Sequence, residues 1–248
     1  MLRWTVHAIP DQTGRIAVVT GANSGIGYVT ARELARRGAR VVLACRDPGR
    51  GHAALARLRR EVPGARLELR RLDLLAARDP RVVTVSSEGQ RFARLDLSDL
   101  DAERGYRAAF AYVRSKRANL YFAIELQRRA DAAGLRLRSM AVAPGLTRTN
   151  VLTGGANAGR GRLYATLVRL LVRAAFRPTP EGAKTSLYAA TVPGLPGGSY
   201  IVPDGVLQLR GEPTRRTRER AIRDAATAAR LWELSERLTG VTPSMGAH

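Results

Sequence analysis

Arg15–Gly27, which reads RIAVVTGANSGIG, limits the fold of this chain more than any other stretch. Ile16–Val19 is a short apolar run of the kind buried on both faces of a parallel sheet. It leads directly into Thr20-Gly21-Ala22-Asn23-Ser24-Gly25-Ile26-Gly27, and a helical pattern follows from Val29 to Arg37, stopped by Gly38. Strand, glycine turn and helix in this order suit a phosphate group. Gly21 permits the tight turn, Gly25 lets the backbone approach a pyrophosphate, and Gly27 lets helix and strand pack closely. Around Asn23, Ser24 and Ile26 the helix N-terminus offers N–H groups and a partial positive charge to the anion. The expectation is nucleotide binding on a Rossmann-like, doubly wound parallel α/β sheet.

A chain of 248 residues fits one such domain over residues 1–248, with a leader at 1–12 whose Trp4 lies against the domain edge. The single cysteine, Cys45, excludes an internal disulfide and suits a reducing, cytosolic compartment. No run approaches the ~20 apolar residues of a membrane span. The net charge of +21 raises the question of nucleic acid, but it does not lead there. Only Lys116 and Lys184 are lysine, and the dispersed arginines beside abundant Ala and Gly read as biased codon usage. Aromatic residues make up only 5%, too few for a base-stacking platform, so no nucleic-acid partner is expected. No metal site is expected either.

Val41–Ala44 reads as a second buried strand ending at Cys45-Arg46-Asp47, the point beside the adenosine ribose in a dinucleotide fold. Arg46 suits a 2′-phosphate, which favours NADP over NAD. In the alternative, Asp47 caps the next helix and Arg46 is merely solvated. Gly51–Glu61 is helical, and Leu67–Leu72 alternates as a strand toward Asp73, placed to reach an adenine amino group. Val82–Ser87 is another buried strand with two hydroxyls at its C-terminal end, where parallel sheets bind ligands. Glu88–Gly105 reads as loop, Arg107–Arg129 as helix, and Leu135–Val142 as strand before Pro144-Gly145. Thr179-Pro180 opens a helix with Thr179 as cap, Tyr200–Val202 is a last strand, and Arg215–Leu238 a closing amphipathic helix within a 213–248 helix and tail.

Tyr112 and Lys116 stand four apart on one helical face. An ammonium beside a phenol lowers the phenol's pKa from about 10 and makes it a usable proton donor and acceptor. In a chain that spells nearly all its positive charge as Arg, a lysine at this position suggests a need for a compact ammonium.

Thr20-Gly-x-x-x-Gly-x-Gly27, Tyr112-x-x-Ser-Lys116, the Ser86-Ser87 strand end and Pro144-Gly145 together resemble the short-chain dehydrogenase/reductase family. Ala44–Asp47, Arg117–Leu120 and Pro203–Gly205 point to its retinol-dehydrogenase-like and protochlorophyllide-reductase-like branch. The resemblance implies that Ser87 polarises a substrate carbonyl, Tyr112 passes the proton, and Lys116 holds the nicotinamide ribose and tunes Tyr112. Pro144, Gly145 and Thr149 would border the nicotinamide. The implied reaction is reversible hydride transfer between the nicotinamide and an alcohol or carbonyl carbon. In this family, residues 150–180 would form a lid over the substrate. The apolar, Arg-studded Arg162–Arg177 also has the form of a helix lying on a membrane surface. As a lid, its Leu163, Leu167, Leu170, Leu171 and Phe176 imply an apolar substrate.

The chain departs from this family between Leu74 and Arg81. A central fourth strand and its two flanking helices have no residues here, a gap of roughly 60 at about 30 residues per βαβ unit. The link from Leu74 to Val82 spans at most about 28 Å fully extended. The family's route between the same points needs roughly 22–28 Å before any helix is crossed. Residues 65–74 and 82–87 are therefore not both expected at their family positions. The second lost helix usually serves the family's dimer, which puts the oligomeric state in question. A catalytically impaired nucleotide-binding remnant is the alternative function.

Overall fold

The computed structural model describes residues 4–45, 48–69, 79–100, 105–145, 178–216 and 224–243. Its first elements are β1 (Ile16–Thr20), α1 (Gly25–Arg36), β2 (Arg40–Ala44), α2 (Pro48–Glu61) and β3 (Leu67–Leu69). Then come β4 (Arg81–Val85), α3 (Ala108–Ala132), β5 (Arg138–Val142), α4 (Thr179–Thr191), β6 (Tyr200–Pro203), β7 (Pro213–Arg216) and α5 (Ala225–Thr239). These elements divide between two compact units: Met1–Ala77 with Leu146–Val192, and Arg78–Gly145 with Pro193–His248.

The first unit is built on a parallel sheet of order β1-β2-β3, with Val19 beside Leu43 and Val42 beside Glu68. The β-branched run of β2 buries Val41 and Leu43 completely, and Ala31 of α1 and Leu58 of α2 join them in one core. Ala183 and Leu187 of α4 belong to the same core. Trp4 of the leader lies edge-on against Tyr188 of α4, with ring centres 5.6 Å apart.

In the second unit β4, β5 and β6 run parallel and β7 returns antiparallel along β6. α3 buries Leu120 and Tyr121 in a core with Ala141, Tyr200 and Val202. Its outer half is fastened to α5. Trp232 stacks on Phe122 at 5.5 Å, the Arg129 guanidinium lies 4.9 Å from the Trp232 ring, and the Tyr121 hydroxyl donates to Asp224 at 2.9 Å. These contacts anchor the C-terminal half of the helix that carries Tyr112 and Lys116.

Several boundaries differ from the sequence reading. β4 ends at Val85, so Ser86 and Ser87 lie just beyond the strand. Glu88–Phe92 is a 3-10 turn, because Ser87 caps it and its side chains find buried partners. Thr179 is the first residue of α4 and not its cap; Pro178, at φ −55° and ψ 148°, holds that position. The closing helix begins only at Ala225. Pro213–Arg216 is instead an edge strand, since β6 offers a free edge and Pro213 at its start needs no ladder N–H.

β1 and β4, the strands expected to flank the absent fourth strand, are short of burial, as is the edge strand β7. Ile16 is 55% exposed, Ala17 and Val18 are half-buried, and all five residues of β4 are only half-buried. Burial of β1 and β4 on both faces, expected from their apolar runs, is thus corrected. Each keeps one neighbour: among the described residues β1 pairs with β2 alone and β4 with β5 alone. β3 keeps its pairing with β2, and β4 its pairing with β5. Apolar edge strands promote self-association. Ile16→Lys is expected to reduce light scattering on concentration while changing stability by no more than about 0.5 kcal/mol, checked by a melting curve. No described helix is long and apolar enough to cross a membrane.

Candidate active site

The expected site residues fall into two groups, one in each unit. In the first, β1 runs into the glycine turn and α1 leaves it. Gly21 and Gly25 take φ +63° and +56°, left-handed backbone that glycine adopts without strain. Gly27 serves a different purpose. A Cβ there would stand 2.4 Å from Gly21 O, 2.8 Å from Gly21 C and 3.0 Å from Thr20 O. The helix can leave the strand this closely only because residue 27 has no side chain. Ser24 stands at the N-cap in extended backbone, yet its side chain makes no capping bond. The first-turn N–H groups of α1 are therefore not spent on the serine. Asn23, Gly25, Ile26 and Gly27 are half-buried around them. This cradle fits the pyrophosphate of a dinucleotide.

In the second unit three elements converge: the end of β4, the face of α3 and the turn after β5. The Ser87 hydroxyl oxygen accepts from Gly89 N–H at 3.3 Å, which leaves its own proton to donate elsewhere. Ser86 Oγ donates to the Lys116 carbonyl at 2.7 Å and so ties the strand end to α3. Tyr112 is 38% exposed, and Lys116 Nζ lies 5.6 Å from its ring centre. The same Nζ donates to Val85 O at 3.4 Å. Gly145, at φ +69°, follows Pro144; a Cβ there would stand 2.6 Å from Leu209 O, so the turn presses against the loop after β6. Arg46, Asp73, Thr149 and the lid stretch 162–177 lie outside the described residues.

Burial pushes the Lys116 ammonium below its ordinary value of 10.5. The charged form therefore costs folding stability at every pH below the folded value, and that cost fades as pH rises toward 10.5. Lys116→Met is expected to raise the melting temperature by a few degrees at neutral pH and to lose that gain as pH nears 10.5. Melting curves at pH 7 and near pH 10 check this.

The short chain dehydrogenase family profile matches residues 15–97. Short chain dehydrogenase/reductase dpfgH of Gibberella zeae is 32% identical to this chain, over 94% of it and 84% of that protein. The chain belongs to the short-chain dehydrogenase/reductase family. It is an oxidoreductase of that family by this membership, and Retinol dehydrogenase 14 of Homo sapiens is 28% identical over 92% of the chain and 87% of that protein. A crystal structure of an uncharacterized protein from Mycobacterium Paratuberculosis shares the fold at a TM-score of 0.74 and 33% identity, covering 98% of this chain and all of that one. The dpfgH alignment extends over 311 positions and takes in 94% of the 248 residues here, so about 78 of its positions have no counterpart in this short-chain dehydrogenase/reductase.

Two residues of this site carry no role in the sequence reading. Asn119 donates through Nδ2 to Val85 O at 3.0 Å, the carbonyl that Lys116 also engages. Its signal is present: three residues after Lys116, it shares the same helical face. Glu88 has no such signal, because an acidic residue opening a polar stretch reads as solvated loop.

Proposed function

We propose that this chain is an NADP-dependent oxidoreductase acting on an alcohol or carbonyl carbon of an apolar small molecule. The observation that carries the reading is the Lys116 ammonium beside the Tyr112 ring, on the helix tied to the Ser86-Ser87 strand end. Bound NADP would supply hydride chemistry at its nicotinamide carbon. Gly21, Asn23, Ser24, Gly25, Ile26 and Gly27 would hold its pyrophosphate on the N–H groups of α1. Arg46 would take the 2′-phosphate, Asp73 the adenine, and Pro144, Gly145 and Thr149 the nicotinamide. The hydroxyl proton that Ser87 keeps free would polarise the substrate oxygen, and Tyr112 would pass a proton to or from it. Lys116 would hold the ribose and present a positive charge to Tyr112. The kinship with retinol dehydrogenases and the apolar lid stretch both support an apolar substrate.

The test is fluorescence titration with NADPH and NADH, followed by turnover against a panel of apolar aldehydes and ketones. The reading expects tighter binding of NADPH and oxidation of it by at least one carbonyl. Binding without turnover would favour a nucleotide-binding protein that has lost catalysis. No binding of either nucleotide would overturn both.

A further inference from the structure

The turn that begins immediately after Ser87 is held from several sides. Glu88 is only 6% exposed although it carries a carboxylate. Its Oε1 accepts from the Tyr200 hydroxyl of β6 at 2.8 Å. Its Oε2 accepts from Arg91 of the same turn and lies 3.6 Å from Arg216 Nη1 of β7. Gln208 Oε1 then bridges the same two arginines, accepting from Arg91 at 2.6 Å and also from Arg216. Gln208 does so at φ +58°, a left-handed backbone that needs restraining contacts in a residue with a side chain. On the α3 side, Arg117 donates to Gln90 O at 3.2 Å and to its Oε1 at 3.3 Å.

Burying a carboxylate among guanidiniums gains little stability over an apolar packing of the same volume. What such a cluster does provide is direction, because charge-assisted bonds are short and oriented. The object so oriented is the Glu88–Phe92 turn, and its cap is Ser87, whose hydroxyl accepts from Gly89 N–H and whose carbonyl accepts from Gln90 N–H at 3.0 Å. A shift of the turn moves the Ser87 hydroxyl with it.

We propose that Glu88 is a positioning residue for Ser87, its gripped carboxylate fixing the turn that aims the Ser87 hydroxyl. The inference rests on the role given to Ser87 above. It is tested with Glu88→Ala, Glu88→Gln, Ser87→Ala and the double alanine variant in the full chain. The readouts are kcat and KM separately, NADPH affinity, and amide hydrogen exchange at Gly89, Gln90 and Ala93. Glu88→Ala is expected to lower kcat about 10- to 100-fold, with KM and NADPH affinity within about threefold, and to speed exchange at the three amides. Glu88→Gln, which keeps an acceptor for Tyr200, recovers part of that loss. In the Ser87→Ala background the second change costs less than about twofold, because the turn then has nothing to aim. Independent, multiplying losses in the double variant would overturn the proposal, as would unchanged exchange in Glu88→Ala. Should that variant not fold, Glu88→Gln carries the same cycle. If the parent shows no turnover, faster exchange with parent-like NADPH affinity still supports the link from Glu88 to the turn, and it is the catalytic reading of Ser87 that fails.

Discussion

Gly27→Ala is expected to abolish NADPH binding and to lower the melting temperature by roughly 10 °C or more. An added Cβ meets three backbone atoms at 3.0 Å or less, and none belongs to a flexible side chain that could turn aside. Either α1 lifts away from the turn or the β1 end distorts. Overpacking of this kind costs about 1–3 kcal/mol, with a backbone clash at the upper end. For a unit of about 120 residues each kcal/mol is worth about 3–6 °C. Gly21→Ala is the control. It must adopt φ +63° but meets no atom within 4 Å, so it suffers only the left-handed strain of about 1–2 kcal/mol. A thermal melt and an NADPH titration of both variants read the contrast. A Gly27→Ala protein that melts within about 2 °C of the parent and binds normally would refute a tight cradle.

Tyr112→Phe gives the second large effect, confined to turnover. Removing a positioned proton donor costs about 10²- to 10⁴-fold in kcat. Folding should hardly register the change, because the side chain is partly exposed and its hydroxyl has no hydrogen-bond partner among the described residues. NADPH affinity should stay within about twofold, since the phenyl ring still stands beside Lys116. Stopped-flow oxidation of NADPH with the best carbonyl of the panel, together with a binding titration, separates the two. Comparable loss of binding and of turnover would assign Tyr112 to the pocket wall and not to proton transfer.

The parts of this molecule that were legible in advance are those whose physics is local. Gly21 and Gly27 announce themselves because a positive φ or a missing Cβ has no substitute among the other residues. The placement of Tyr112 and Lys116 on one helix follows from their spacing alone. What was not legible depends on distant partners. Pro213–Arg216 has no strand-like alternation of its own and becomes a strand only because Tyr200–Pro203 lies open beside it. Glu88 is buried only because Tyr200, 112 residues onward, and Arg216 come to meet it.

The first unit is assembled from two separated stretches, Met1–Ala77 and Leu146–Val192, and this gives synthesis an order. Ala183 and Leu187 share a core with Ala31 and Leu34, so α1 has no cover until α4 leaves the ribosome. Between residues 77 and 192 the ribosome must add about 115 residues, which at about 5–20 residues per second takes roughly 6–23 s. For that interval the nascent nucleotide cradle carries a bare apolar helix face, with the open edge of β1 beside it. A ribosome-bound chain stalled before residue 178 should therefore recruit a holdase chaperone, and one stalled far enough beyond Thr191 for α4 to emerge should release it.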